Sequence, residues 1–223
     1  MVEITEIDRD EALRYLCCHD ENNIGETAGK YLDECESRLL GVISPKFLYR
    51  YFPLSFKDGV PVISGCTLAL NGSDIAAHLE GCSGVIVMCA TVGGGADRLI
   101  RRLQVEDMAK AVIADAFAGA AVEQVCAKAE EIIKKEFDGK YFTWRYSPGY
   151  GDFPINMQKQ LLDVLDAPRK IGLCASGSSM LTPVKSVTAV MGVSDKPLPS
   201  KKSVTCNMRD VCRFRKRGTH CGF

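Results

Sequence analysis

Residues 104–136 hold a helical pattern without interruption, with Val105, Met108, Val112, Ala116 and Ala120 recurring near helical spacing and alanine dominating the middle. The pattern predicts a spine helix on which other elements pack. Small side chains let a neighbouring element approach closely, at the cost of fewer dispersion contacts per residue. Gly119 costs about 1 kcal/mol relative to alanine in a helix interior, which marks it as a contact point for another backbone or a ligand.

The rest of the chain supplies short helices and strands. Residues 11–16 and 29–40 read as helices, and 47–54 as an alternating strand ended by Pro53. Lys57-Asp58-Gly59 is a turn before a strand at 60–63. Ser73 or Asp74 is placed to cap a helix through Leu79. The run 85–91 is short, continuous and partly β-branched, which predicts a central strand covered on both faces. It leads into Gly93-Gly94-Gly95 and a helix from Ala96. Further on, 157–165 reads as a helix that stops before Pro168, 170–174 as a strand, 176–179 as a turn and 182–192 as a strand. One α+β domain over residues 1–195 is the simplest arrangement of these pieces.

With 223 residues, 46% apolar and 25% charged, the chain has the composition of a globular protein with a real core. Net charge is zero. Basic residues nevertheless gather at the end, where Lys196, Lys201, Lys202, Arg209, Arg213, Arg215, Lys216 and Arg217 stand against Asp210 alone. Residues 196–223 therefore read as a basic, cysteine-bearing tail. Residues 1–10 are charged and polar rather than leader-like, so the eleven cysteines are expected to be reduced and the compartment cytoplasmic. Cys17, Cys66, Cys89, Cys126 and Cys174 lie in or beside apolar segments, as small hydrophobes do. No apolar run approaches the roughly 20 residues needed to span a bilayer.

One loop carries ligand chemistry. Arg145-Tyr146-Ser147-Pro148-Gly149-Tyr150 sets a planar fork of donors, a proline turn, a bare glycine and a phenol within a few residues. A guanidinium suits a carboxylate, Pro148 fixes φ, and Gly149 lets a ligand approach the backbone. A surface turn with a solvated Arg145 and a packed Tyr150 has the same spacing.

The order of segments resembles the activation domain of vitamin B12-dependent methionine synthase in a free-standing form. The likeness rests on Arg145-x-x-x-Gly149-Tyr150, on Pro154 beyond it, and on Leu181-Thr182-Pro183-Val184-Lys185-Ser186-Val187-Thr188. Asp97-Arg98-Leu99-Ile100-Arg101-Arg102 followed by the alanine-rich helix agrees with it. The resemblance implies a curved body with central antiparallel strands and flanking helices. It also implies binding of S-adenosylmethionine and reductive remethylation of cobalamin carried by a partner, a methionine synthase or other corrinoid protein. An electron donor such as flavodoxin or ferredoxin would supply the reduction. In that scheme Arg145 holds the ligand carboxylate, Gly149 gives clearance, Pro148 shapes the loop and Tyr150 borders the cofactor side. Glu123 on the spine helix faces the ammonium or sulfonium end, with Asp115 matching an acidic position in the same helix; a solvated helix carboxylate is the plainer account of Glu123. No Asp-x-His-x-x-Gly cobalamin motif is present. Gly151-Asp152-Phe153-Pro154 replaces the proline-led segment usual after the tyrosine. A non-catalytic docking or chaperone module for a corrinoid methyltransferase is the competing class.

Other chemistries fit less well. Arg98 stands where a dinucleotide fingerprint needs its third glycine, and no Gly-Lys-Ser or Gly-Lys-Thr follows the glycine run. No Gly-x-Ser-x-Gly elbow exists for a serine hydrolase, and His19, His78 and His220 are poorly set to serve as its base. Cys206, Cys212, His220 and Cys221 are soft ligands without a recognised finger spacing. Arg213, Phe214, Arg215, Lys216 and Arg217 suit a solubilising terminus or an acidic protein better than nucleic acid, since the body is neutral.

Overall fold

Strand β4, Gly84–Thr91, is buried along its whole length, and Val85 to Ala90 expose no surface, as its continuous apolar run predicts. In the computed structural model, which describes residues 2–18, 25–66 and 68–198, backbone bonds beyond its ends fix both neighbours. Leu54 N donates to Ser83 O at 3.1 Å and Ser44 N to Val92 O at 2.8 Å, so β1 (Lys46–Lys57) runs antiparallel to it. Ser83 N donates to Val193 O at 2.9 Å and Val92 N to Lys185 O at 3.1 Å, which sets β8 (Ser186–Ser194) antiparallel on the other side.

With β2 (Val60–Ile63), β3 (Leu68–Ala69) and β5 (Tyr141–Phe142), the sheet order is β3-β2-β1-β4-β8-β5. Helices α1 (Arg9–Tyr15), α2 (Glu26–Leu40), α3 (Ser73–His78), α4 (Gly94–Glu106), α5 (Met108–Glu136), α6 (Met157–Leu165) and α7 (Ala167–Ile171) complete the α+β architecture. A small hairpin of β6 (Cys174–Ala175) and β7 (Leu181–Thr182) stands apart from the main sheet. Asp58 and Gly59 take positive φ between Lys57 and Val60, the tight hairpin turn that Asp-Gly favours. Contacts cluster into two compact units. Among the described residues, one comprises those within 2–48, 89–136 and 166–187, the other those within 49–88, 137–165 and 188–198.

Several elements differ from their sequence expectations, each for a local reason. Strand β1 does not end at Pro53. Proline removes a donor but keeps its carbonyl, which accepts from Ser64 at 2.9 Å, and the ladder with β2 resumes at Leu54 and Ile63. The spine is two helices, because Asp107 is extended and its Oδ1 accepts from Ala109 N at 3.0 Å and Lys110 N at 3.3 Å, capping α5. Val105, Met108 and Val112 are exposed, whereas Ala116 and Ala120 are buried. Gly119 meets the Tyr15 ring of α1, which would lie 3.4 Å from an added Cβ, rather than another backbone. Of the strand expected over 170–174, Lys170 and Ile171 instead end α7, with Pro168 in the first turn where its missing N–H costs nothing and Gly172 closing the helix at φ +71°, and Cys174 opens β6. Pro183 separates β7 from β8, so the expected single strand is two.

The cysteines divide by place. Cys35, Cys82, Cys89 and Cys126 are buried thiols, and burial pushes Cys82 up to about 11 and Cys89 up to about 12. Cys17 and Cys174 are exposed rather than packed. No helix among the described residues is long and apolar enough to cross a membrane.

Candidate functional site

The Arg145–Tyr150 loop is hung on β8. Tyr146 and Val190 exchange two backbone hydrogen bonds of 2.9 Å, and Thr143 N donates to Gly192 O at 3.0 Å. Alternation along this extended stretch puts Trp144 and Tyr146 on one side, their ring centroids 5.1 Å apart, and Arg145 on the other. Tyr146 is 1% exposed and is ringed by His78, Trp144, Tyr150 and Phe153 at 4.8, 5.1, 5.9 and 6.2 Å. Arg145 is half-buried.

After Tyr146 the chain turns tightly. Tyr150 N donates to Ser147 O at 3.1 Å, Gly149 N to Phe153 O at 2.8 Å and Phe153 N to Tyr150 O at 2.9 Å. Pro148 is buried and fixes the first half of the turn, while Gly149 is exposed at φ +96°, a conformation that favours glycine. Tyr150 is half-buried with its ring edge-on to Tyr146. Four of the five expected site residues, Arg145, Pro148, Gly149 and Tyr150, thus sit on one hydrogen-bonded loop.

Glu123 is half-buried on α5, in the unit that does not contain the loop; burial, then Glu11, then the Glu123 charge raise the Tyr15 phenol above its ordinary value. Asp115 is an exposed residue of α5 paired to Lys185 at 2.9 Å. Cys206, Cys212, His220 and Cys221 lie outside the described residues, within which no group of three or more His, Cys, Asp or Glu side chains is arranged to hold a metal. The Gly93-Gly94-Gly95 run opens α4, and Gly95 is held against the Val42 main chain.

The expected self-cap of α3 is replaced by a remote one. The helix has no capping side chain of its own; Asp152, far along the chain, accepts from Ser73 N at 2.6 Å, Ser73 Oγ at 2.7 Å and Asp74 N at 3.0 Å. Ser73 and the backbone N–H groups hold the Asp152 carboxyl below its ordinary value. No sequence signal marks a cap whose partners are 79 positions apart.

His78, packed rather than solvated, places a ring nitrogen, Nε2, 2.9 Å from Trp144 O, and burial pushes its pKa down to about 4. The imidazole is neutral at pH 7, and since a carbonyl only accepts, Nε2 carries the proton. The unfolded chain, with a His pKa near 6.5, takes up a proton between about pH 6.5 and 4 that the native state refuses. This contribution to stability is whole above pH 6.5 and is lost as the pH falls to about 4. At about 1.4 kcal/mol per unit, discounted for partial exposure, it amounts to on the order of 2 kcal/mol. Urea unfolding across that window should show the decline, and His78→Gln should remove this part of the slope.

No protein-family model matches the chain, and no curated protein matches it. Among solved structures, the crystal structure of the MetH reactivation domain bound to AdoHcy is similar to it. The TM-score is 0.60 at 14% sequence identity, over 96% of this chain and 82% of that one. That likeness is one of fold. It agrees with the α+β class, the central antiparallel sheet and the flanking helices.

Proposed function

We propose that this chain is the S-adenosylmethionine-binding activation component of a cobalamin-dependent methionine synthase system, acting on a corrinoid carried by a partner protein. The observation that carries the reading is a conjunction. A fold like the MetH reactivation domain extends over nearly the whole chain, and an Arg-x-x-x-Gly-Tyr loop is pinned on β8 by its own hydrogen bonds.

The loop suits the amino-acid end of such a ligand. The Arg145 guanidinium can give two parallel, charge-assisted hydrogen bonds to a carboxylate, and its half-buried setting strengthens them relative to open water. Gly149 is exposed and has no side chain, so a ligand can approach its backbone past Ile155, whose Cδ1 lies 3.1 Å from where a Cβ would stand. Buried Pro148 and the bond from Gly149 N to Phe153 O limit the ordering that binding requires. Tyr150 forms the border of the loop on the side taken to face the partner's corrinoid. Bound S-adenosylmethionine supplies a methyl group already activated by its sulfonium. The chain's own part is to bind and orient, so no loop residue is given a proton to move. An electron donor of the flavodoxin or ferredoxin kind supplies the reduction.

Isothermal titration with S-adenosylmethionine tests the reading. Wild type should release heat, and Arg145→Ala should weaken binding about tenfold or more, or about 1.4 kcal/mol. Arg145→Lys should fall between, because an ammonium keeps the charge without the planar fork. No heat with wild type, or equal affinity in Arg145→Ala, overturns it.

A further inference from the structure

We infer that α3 is a brace for the Arg145–Tyr150 loop, with Asp152 and His78 as the positioning residues that hold its two stems. As a statement about ligand binding this rests on the function proposed above. The brace itself is a matter of geometry.

The two ends of α3 grip opposite sides of the loop. At its start, Ser73 and Asp74 donate to Asp152, just past the loop, through the contacts of 2.6 to 3.0 Å given above. At its end, His78 bonds the carbonyl of Trp144, just before the loop, at 2.9 Å. The grip at the start is reciprocal, since Asp152 N donates to Asp74 Oδ2 at 3.2 Å. Two glycines make that interlock possible. Gly72, at φ +136°, would place a Cβ 2.6 Å from Asp152 Oδ1. Gly151, at φ +52°, would drive one into the Asp74 carboxylate and to 2.6 Å from Tyr146 Oη.

The brace reaches the ligand-facing residues through short covalent and hydrogen-bonded steps. Phe153, adjacent to Asp152, bonds both Gly149 and Tyr150, and Trp144 is adjacent to Arg145. Releasing Asp152 therefore frees the turn that carries Gly149, and releasing His78 frees the approach to Arg145. A merely stabilising cap would have no such reach, and the chain provides one for comparison in Asp107, which caps α5.

Trp144 is the only tryptophan of the chain, so its fluorescence reports the loop stem without any ligand. In Asp152→Ala its emission should move to the red and acrylamide quenching should rise, and affinity for S-adenosylmethionine should drop about tenfold. Asp107→Ala, with a comparable loss of helix capping, should leave emission, quenching and affinity as in wild type. Asp152→Asn, which keeps one acceptor, should be intermediate and carries the same test if the alanine variant fails to fold. Trp144 signals and affinity in the Asp152 variants equal to those of Asp107→Ala overturn the inference. Loosening of Trp144 in Asp152→Ala together with no binding by wild type would retain the brace and remove the proposed function.

Discussion

Gly95→Ala is expected to destabilise the protein by about 3 kcal/mol or more, at the upper end of what overpacking costs. The added Cβ would overlap the carbonyl oxygen of Val42 and lie 2.9 Å from its carbonyl carbon. Neither atom can rotate aside, because they are main chain. The segment that bears them is tied on both sides: Val42 N and Ile43 N donate to Leu39 O at 3.0 Å, and Ser44 N donates to Val92 O at 2.8 Å. The strain must then move α4 itself, whose Ala96, Leu99, Ile100 and Leu103 are buried. Val42→Ala should not rescue the variant, since the obstacle is not the valine side chain. Urea unfolding of the single and double variants measures this, and a loss below about 1 kcal/mol would refute it.

That glycine illustrates which parts of this molecule could be read from its sequence. The triple glycine was legible as punctuation between a strand and a helix, but its reason is a carbonyl more than fifty positions earlier. Elements specified by their own residues were legible: β4 by its unbroken apolar run, the β1–β2 hairpin by Asp58-Gly59, and the turn after Tyr146 by Pro148-Gly149. Elements decided by tertiary context were not. Val105, Met108 and Val112 fit helical periodicity and are nonetheless exposed, Val105 on α4 and the other two in the first turns of α5. Of residues 170–174, which looked extended, Cys174 does open β6, whereas Lys170 and Ile171 end a short helix framed by Asp166 and Gly172, both in left-handed conformations. For the candidate site the lesson is the same, since the loop could be read while Asp152 and His78, which hold it through α3, could not.

Gly192→Ala should produce the second large effect, a loss of about 3 kcal/mol, and unlike Gly95→Ala it should be partly reversible by a second substitution. Gly192 is buried in β8, where an added Cβ would collide with the Cys82 sulfur and come within 3.0 Å of Leu79 Cδ2 and 3.1 Å of Thr143 Cγ2. All three obstacles are side-chain atoms, and the nearest can be deleted. Cys82 is a buried thiol, so Cys82→Ala alone should cost about 1 kcal/mol through a small cavity, yet in the Gly192→Ala background it should recover stability. A double-mutant cycle by urea unfolding would therefore give a coupling above about 1 kcal/mol, and additivity would show that the strain is absorbed elsewhere. The outcome bears on the Arg145–Tyr150 loop directly. Gly192 N donates to Thr143 Oγ1 at 2.8 Å and its carbonyl accepts from Thr143 N at 3.0 Å, so whatever lifts this part of β8 also lifts the stem that leads through Trp144 into Arg145.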